Sequence, residues 1–350
     1  MPVLSLSPLT AAQVYNGLAA TFDHSHAVSP AEDVTFQIGD CRVRLRATTE
    51  ALHQHVLRPL ACPEAPAQAL PDVTLDLIDL GEQPLPDLPW LPQHTSLEQE
   101  TSEYQEGSFL FTRHGDVLMT AFDQGAGRTV GLVHAPSRWP LRHYKQGIFI
   151  TLYQHLRRRG LHLIHASAIG LDGRAALIAG HSGAGKTTTM LTCVTAGFQF
   201  LGDDTTLVQR GPAGDIDVVA LLSTLDVTDK TAAWFPELTP FLSPVRSHTG
   251  KRQIILSEAY PTSVTARGRV SVILAPEITD QPQSRLAPAN KASLLSDLLF
   301  YSIDLQDVSL ARQHLEFLAQ AVEQIPVYRL LLGRDRQQTA QMIADVLQAP

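Results

Sequence analysis

The chain has 350 residues, 44% of them hydrophobic, which is enough for about two domains with real cores and excludes a disordered or fibrous polypeptide. A formal charge of -8 and a pI near 5.9 create a global field that repels polyanions, so neither nucleic acid nor a membrane surface is expected as a partner. The cysteines Cys41, Cys62 and Cys193 form no CxxC pair, no apolar run approaches the roughly 20 residues of a spanning helix, and the start MPVLSLSPLT has no basic secretory region, so a cytoplasmic location is expected.

Residues 34–47 alternate apolar and polar about Gly39-Asp40, which predicts a β-hairpin, and a helix is expected from about Thr49 to Leu60. Proline is frequent between Pro59 and Pro92, interrupted by VTLDLIDL at 73–80, whose alternation predicts an edge or half-buried strand. Strand-like runs at about 108–112, 117–122 and 129–134 are separated by His114-Gly115-Asp116 and Gly125-Ala126-Gly127. Residues 1–135 therefore read as a small β-rich domain with no chemical motif, available for substrate or partner recognition, and residues 136–350 as a catalytic domain. In the latter, Leu141, Ile148, Ile150, Leu152 and Leu156 recur at helical spacings, and Arg157-Arg158-Arg159-Gly160 reads as a solvated helix end.

The chemistry concentrates in residues 161–204. Gly180-His181-Ser182-Gly183-Ala184-Gly185-Lys186-Thr187 satisfies GxxxxGK[ST], with AALIA at 175–179 reading as the preceding buried strand and Thr187 to Thr195 as the following helix. In such a loop the backbone of Gly180, Ser182, Gly183, Ala184 and Gly185 wraps the phosphates of ATP, and the helix N-terminus at Thr188 adds its partial positive charge. Lys186 is then placed to meet the β and γ phosphates, and Thr187 to give a hydroxyl to Mg²⁺. Phe198 to Leu201 reads as a strand delivering Gly202-Asp203-Asp204, where one carboxylate can hold the metal and the other accept a proton. Upstream, LHLIHASAI and AALIA are expected to pair as an antiparallel hairpin, and period-two geometry sends His162 and His165 to opposite sides.

His165-Ala166-Ser167, then Gly180 to Thr187, then Gly202-Asp203-Asp204 resemble the catalytic domain of HPr kinase/phosphorylase and the HPr-kinase-related proteins, over about residues 160–350. The resemblance implies an α/β fold with a mixed-sheet P-loop kinase core of the HPr kinase C-terminal type, similar to the core of phosphoenolpyruvate carboxykinase, here preceded by the smaller β-rich domain. It implies that Asp203 is the general base, that His165 supports it, that Lys186 is a catalytic cation and that Asp204 joins Thr187 on magnesium. It further implies a homo-oligomer and a use for the basic residues in Gly250-Lys251-Arg252.

HPr kinases proper carry a different N-terminal domain and an HPr-docking loop with no counterpart here. The expected acceptor is therefore a serine of another protein or peptide, or a small hydroxyl compound, and the expected activity is ATP-dependent transfer of the γ-phosphoryl group to it. The alternative is a nucleotide-binding regulatory or assembly module with little turnover. No structural metal is expected, because Asp23-His24-Ser25-His26 and His53-Gln54-His55 lack a third ligand at a recognisable spacing. Helices at about 308–322 and 334–348 are expected to pack on the core.

Overall fold

The computed structural model of the chain describes residues 9–28, 31, 33–66, 70–91, 101–139, 144–247, 249–302 and 307–349. The opening MPVLSLSP and Leu141 fall outside them. The fold is mixed α/β, and the chain divides into two compact units: one holds residues 1–37, 41–58 and 64–155, the other 38–40, 59–63 and 156–350. Residues 136–155, which the sequence groups with the downstream domain, thus belong with the first unit.

The first unit is built on one sheet of β1 (Val34–Ile38), β2 (Cys41–Ala47), β3 (Val73–Asp79), β4 (Thr101–Glu106), β5 (Phe109–His114), β6 (Leu118–Asp123) and β7 (Arg128–Val133), in the spatial order β1-β2-β3-β7-β6-β5-β4. The segment expected as an edge or half-buried strand, β3, is internal and mostly buried, and pairs in parallel with both β2 and β7. It tolerates a fully buried Asp76 because Arg46 of β2 and Arg128 of β7 grip that carboxylate at 2.7 and 2.6 Å. Helix α1 (Ala11–Val28), which the sequence reading did not foresee, lays Tyr15, Ala19 and Phe22 onto Phe111, Met119 and Val130 of the sheet. Their spacing places them on one helical face. Helix α2 (Glu50–Leu57) begins at Thr49, whose side chain accepts from the Leu52 amide at 3.3 Å.

Helix α3 (Ile150–Leu156) follows a π turn at Tyr144–Phe149 and leads into the second unit. There, β8 (His162–Ile164), β9 (Ala166–Leu171), β10 (Arg174–Ala179), β11 (Gln199–Gly202), β12 (Thr206–Arg210), β13 (Ile216–Val219), β16 (Arg267–Ile278), β17 (Arg285–Pro288) and β18 (Val327–Leu332) form a second mixed sheet, while β14 (Thr224–Val227) and β15 (Arg252–Ile255) make a small ribbon. The expected hairpin is β9 and β10, in register from Leu171 opposite Arg174 to Ala166 opposite Ala179. On its other side β10 runs parallel to β16, and β16 in turn runs parallel to β18.

Helices cover both faces of this sheet, so β10 reads as a continuous apolar run rather than an alternation. Ala176 and Ile178 pack with Met190, Leu191 and Val194 of α4 (Lys186–Thr195) and with Ile343 of α9 (Arg336–Gln348). Ala175 and Leu177 point the other way, into a core with Leu294 and Leu298 of α7 (Lys291–Ser302) and Phe317 and Leu318 of α8 (Val308–Gln324). Two four-residue helices, α5 (Asp229–Ala232) and α6 (Leu256–Ala259), flank the ribbon. The arginine run after α3 departs from a solvated end: Arg157 is buried and Arg158 lies 3.7 Å from Asp307, the residue that caps α8.

Candidate functional site

Strand direction decides where functional groups gather. β11 is antiparallel to β9, and β9 to β10, so β10, β11, β16 and β18 all point the same way. Their C-terminal ends deliver Gly180, Gly202-Asp203-Asp204, Ile278 and Gly333 to one edge of the sheet, where ligands of α/β sheets collect. The start of β9 brings His165 and Ser167 to the same edge.

Between β10 and α4 the chain turns sharply at Gly185, whose φ of +104° lies in the left-handed region that glycine adopts without strain. A methyl group there would stand 2.8 Å from the Leu332 side chain. The turn starts α4 at Lys186, and a cavity of about 410 Å³ opens at its N-terminus, lined by Ser182, Gly183, Gly185, Lys186, Thr187 and Thr188 on one side. His165, Asp204, Asp226, Lys230, Lys251 and Trp234 line it too.

Lys186 is only 5% exposed. Its ammonium donates to the Gly180 carbonyl at 2.8 Å and to His165 Nε2 at 3.3 Å, and stands 3.8 Å from an Asp204 oxygen. Burial holds its pKa below the ordinary lysine value, with Asp204 and Asp203 opposing that shift and Lys251 adding to it. The His165 ring is fixed by its other nitrogen: Nδ1 donates to the Asp204 carbonyl at 3.1 Å, so Nδ1 carries the proton and Nε2 is left to accept from Lys186.

The two aspartates are in different settings. Asp203 is 2% exposed and does not line the cavity; Ser167 donates to one of its oxygens in a very short hydrogen bond, and the Thr187 hydroxyl donates to the other at 3.2 Å. Asp204 adopts φ of +59°, which turns its side chain out of the strand and into the cavity beside Lys186 and His165. The residue expected as general base is therefore the sequestered carboxylate, and the one expected only at the metal is the accessible one.

Of the remaining expected residues, Ser182, Gly183, Gly185, Thr187 and Thr188 line the cavity, whereas Gly180 and Ala184 line a separate recess on the far side of the loop. The reason is local. The Gly180 carbonyl is engaged by Lys186, and the Ala184 amide donates to the His181 carbonyl at 3.2 Å, closing the loop's own turn. His162 points away, buried in a ring stack with Phe317 and His314. Sequence reading missed Lys230, Asp226 and Trp234, which lie 22 to 30 residues beyond the last motif residue and carry no motif of their own. Lys251, for which the family resemblance implied a use, lines the same cavity.

The oxygen donors suit a small hard cation. Thr187 and the two aspartates supply one hydroxyl and two carboxylates, the modest protein share that Mg²⁺ takes when phosphates and waters complete its shell. Among the described residues no cluster of three or more His, Cys, Asp or Glu side chains forms an all-protein metal cage.

No protein-family model matches the chain, and no curated protein matches it. Among solved structures, the HPr(Ser) kinase/phosphatase from Coxiella burnetii is similar at a TM-score of 0.28 and 12% identity, over 52% of this chain and 93% of that one. A superposition that loose carries no argument about activity. No helix among the described residues is long and apolar enough to cross a membrane.

Proposed function

We propose that the second unit is an ATP-dependent kinase that transfers the γ-phosphoryl group to a hydroxyl of a protein, peptide or small molecule. The observation that supports this reading most is the convergence of Lys186, Thr187 and Asp204 from two parallel strand ends on one cavity beside a helix N-terminus.

In this reading the phosphates lie along Ser182 to Thr188, and Lys186 exchanges its bonds to the Gly180 carbonyl and His165 for phosphate oxygens. Mg²⁺, held by Thr187 with Asp203, would screen the charge of the β and γ phosphates. Asp204 takes the proton of the acceptor hydroxyl as the new O–P bond forms and the bond to ADP breaks. His165, with Nδ1–H pinned to the Asp204 carbonyl, keeps Asp204 and Lys186 in place. Accessibility thus favours Asp204 as base and Asp203 as the metal-side carboxylate, the reverse of the assignment that the family resemblance implied.

The test follows γ-labelled ATP with Mg²⁺ and a host extract into protein, small molecules and free phosphate. Lys186→Ala should lose nucleotide binding and transfer together. Asp204→Asn should bind MgATP while transfer falls by about 10² or more, and Asp203→Asn should chiefly raise the Mg²⁺ concentration needed. Full transfer by Asp204→Asn would return the base to Asp203. Nucleotide binding with no labelled acceptor and no released phosphate would instead make the chain a regulatory nucleotide-binding module.

A further inference from the structure

A second cavity, of about 400 Å³, continues from the first along the side of α4. The two share Gly185, Thr188, Lys230, Trp234 and Ile278, so they form one connected space. Helix residues change hands along it in order. Lys186 and Thr187 line only the first cavity, Thr188 lines both, and Thr189 and Thr192 line only the second. Thr188 and Thr192 are one helical turn apart on the same face, which makes α4 a straight guide leading away from the phosphate end.

The second cavity sets an aromatic surface among charged side chains, Lys230, Arg334, Arg336 and Asp280. Trp234 stands 43% exposed and Ile278 65% exposed, two large apolar side chains left uncovered beside a polar cleft. Trp234 is flanked by cations: Lys230 Nζ lies 5.5 Å and the Arg336 guanidinium carbon 5.4 Å from its ring centroid. Thr192, Thr339 and Arg334 supply polar groups around it. The groups that would do chemistry, Asp204 and His165, line only the first cavity, so an occupant of the second does not present the reacting hydroxyl.

We propose that this second cavity is the nucleoside subsite, with the base stacked on Trp234 and the ribose passing Thr188 on its way to the phosphates. The assignment rests on the nucleotide-binding reading of the first cavity and goes beyond it by naming what recognises the rest of the nucleotide. Trp234 would then contribute to affinity for a nucleoside triphosphate and nothing to affinity for the bare phosphate chain.

Calorimetric binding of MgATP and of magnesium tripolyphosphate to the full chain separates the two ideas, using wild type, Trp234→Ala and Trp234→Phe. Trp234→Ala should weaken MgATP about tenfold and leave tripolyphosphate unchanged, which also shows that the variant is folded. Trp234→Phe, which keeps a stacking face, should hold MgATP within about threefold of wild type. Equal weakening of both ligands, unchanged MgATP binding in Trp234→Ala, or wild type binding tripolyphosphate as tightly as MgATP would each overturn the subsite. Failure of wild type to bind either ligand would overturn the nucleotide reading itself.

Discussion

At the level of single residues, two histidines three positions apart, His162 at the start of β8 and His165 in the bend before β9, have opposite fates. His165 meets Lys186 in the cavity, while His162 is sealed against Phe317 and His314. Burial, followed by repulsion from His314 and Arg210, lowers the His162 pKa to about 3, so the ring is neutral in the folded chain at neutral pH. Because the folded pKa lies below the unfolded value of 6.5, the folded state binds fewer protons, and stability present above pH 6.5 is lost as the pH falls towards 3. Urea unfolding at pH 7 and pH 5 should show this group removing about 2 kcal/mol from wild type, a loss absent from His162→Phe. Equal acid sensitivity of the two proteins would contradict a buried neutral ring. The sequence expected this pair on opposite sides of one strand; they do part, but across a bend at His165 between β8 and β9 that strand periodicity did not show. The division between Asp203 and Asp204 was not legible either, because it depends on a left-handed backbone at Asp204 and on which flank of β11 faces the helix.

Whole elements were legible in proportion to how local their causes are. The hairpin of β9 and β10, the start of α4 and the helices α8 and α9 follow from turn residues, glycines and apolar spacing within each segment. Helix α1 divides its buried face between the alanines Ala11 and Ala19 and the aromatics Tyr15 and Phe22, and β4 follows a proline-rich stretch, so neither stood out. The error over β3 is more instructive. Its alternating polar positions suggested water on one side, yet Asp76 faces two guanidinium groups supplied by the neighbouring parallel strands. Arg128 carries the chain of charge on to Asp23 of α1 at 2.7 Å. Removing Asp76 would leave Arg46 and Arg128 sharing only the half-exposed Asp23, so Asp76→Ala should destabilise the first unit by about 3 kcal/mol in denaturant unfolding. A loss below about 1 kcal/mol would mean that the pair behaves like an ordinary surface ion pair.

Across the whole molecule, compactness and chain order do not coincide. The second unit includes the turn at residues 38–40 and the segment 59–63, both embedded in the sequence of the first. These pieces are bonded into it. Asp40 accepts from Arg267 at 2.9 Å and from Gln209 at 3.0 Å, the Pro59 carbonyl accepts from the Ser223 amide at 2.8 Å, and the Ala61 amide donates to Leu221 at 2.9 Å. A fragment of residues 156–350 lacks all of them. It should be less stable than the same unit in the full chain by about 3 kcal/mol, or roughly 10 °C in melting temperature. An unchanged melting temperature would show these strands of sequence to be incidental.

The hairpin turn at Gly39-Asp40 has a bearing on inheritance. Gly39 adopts φ of +56°, the left-handed region that favours glycine, and packs on the Gln209 side chain, while Asp40 supplies the bonds just described. A coding sequence cut at residue 155 and joined to a new partner would therefore separate a catalytic candidate from two of its own building blocks. A replacement upstream portion that presents a glycine and then a carboxylate at that turn would restore these bonds. Chain order alone therefore does not mark where the second unit's own parts begin.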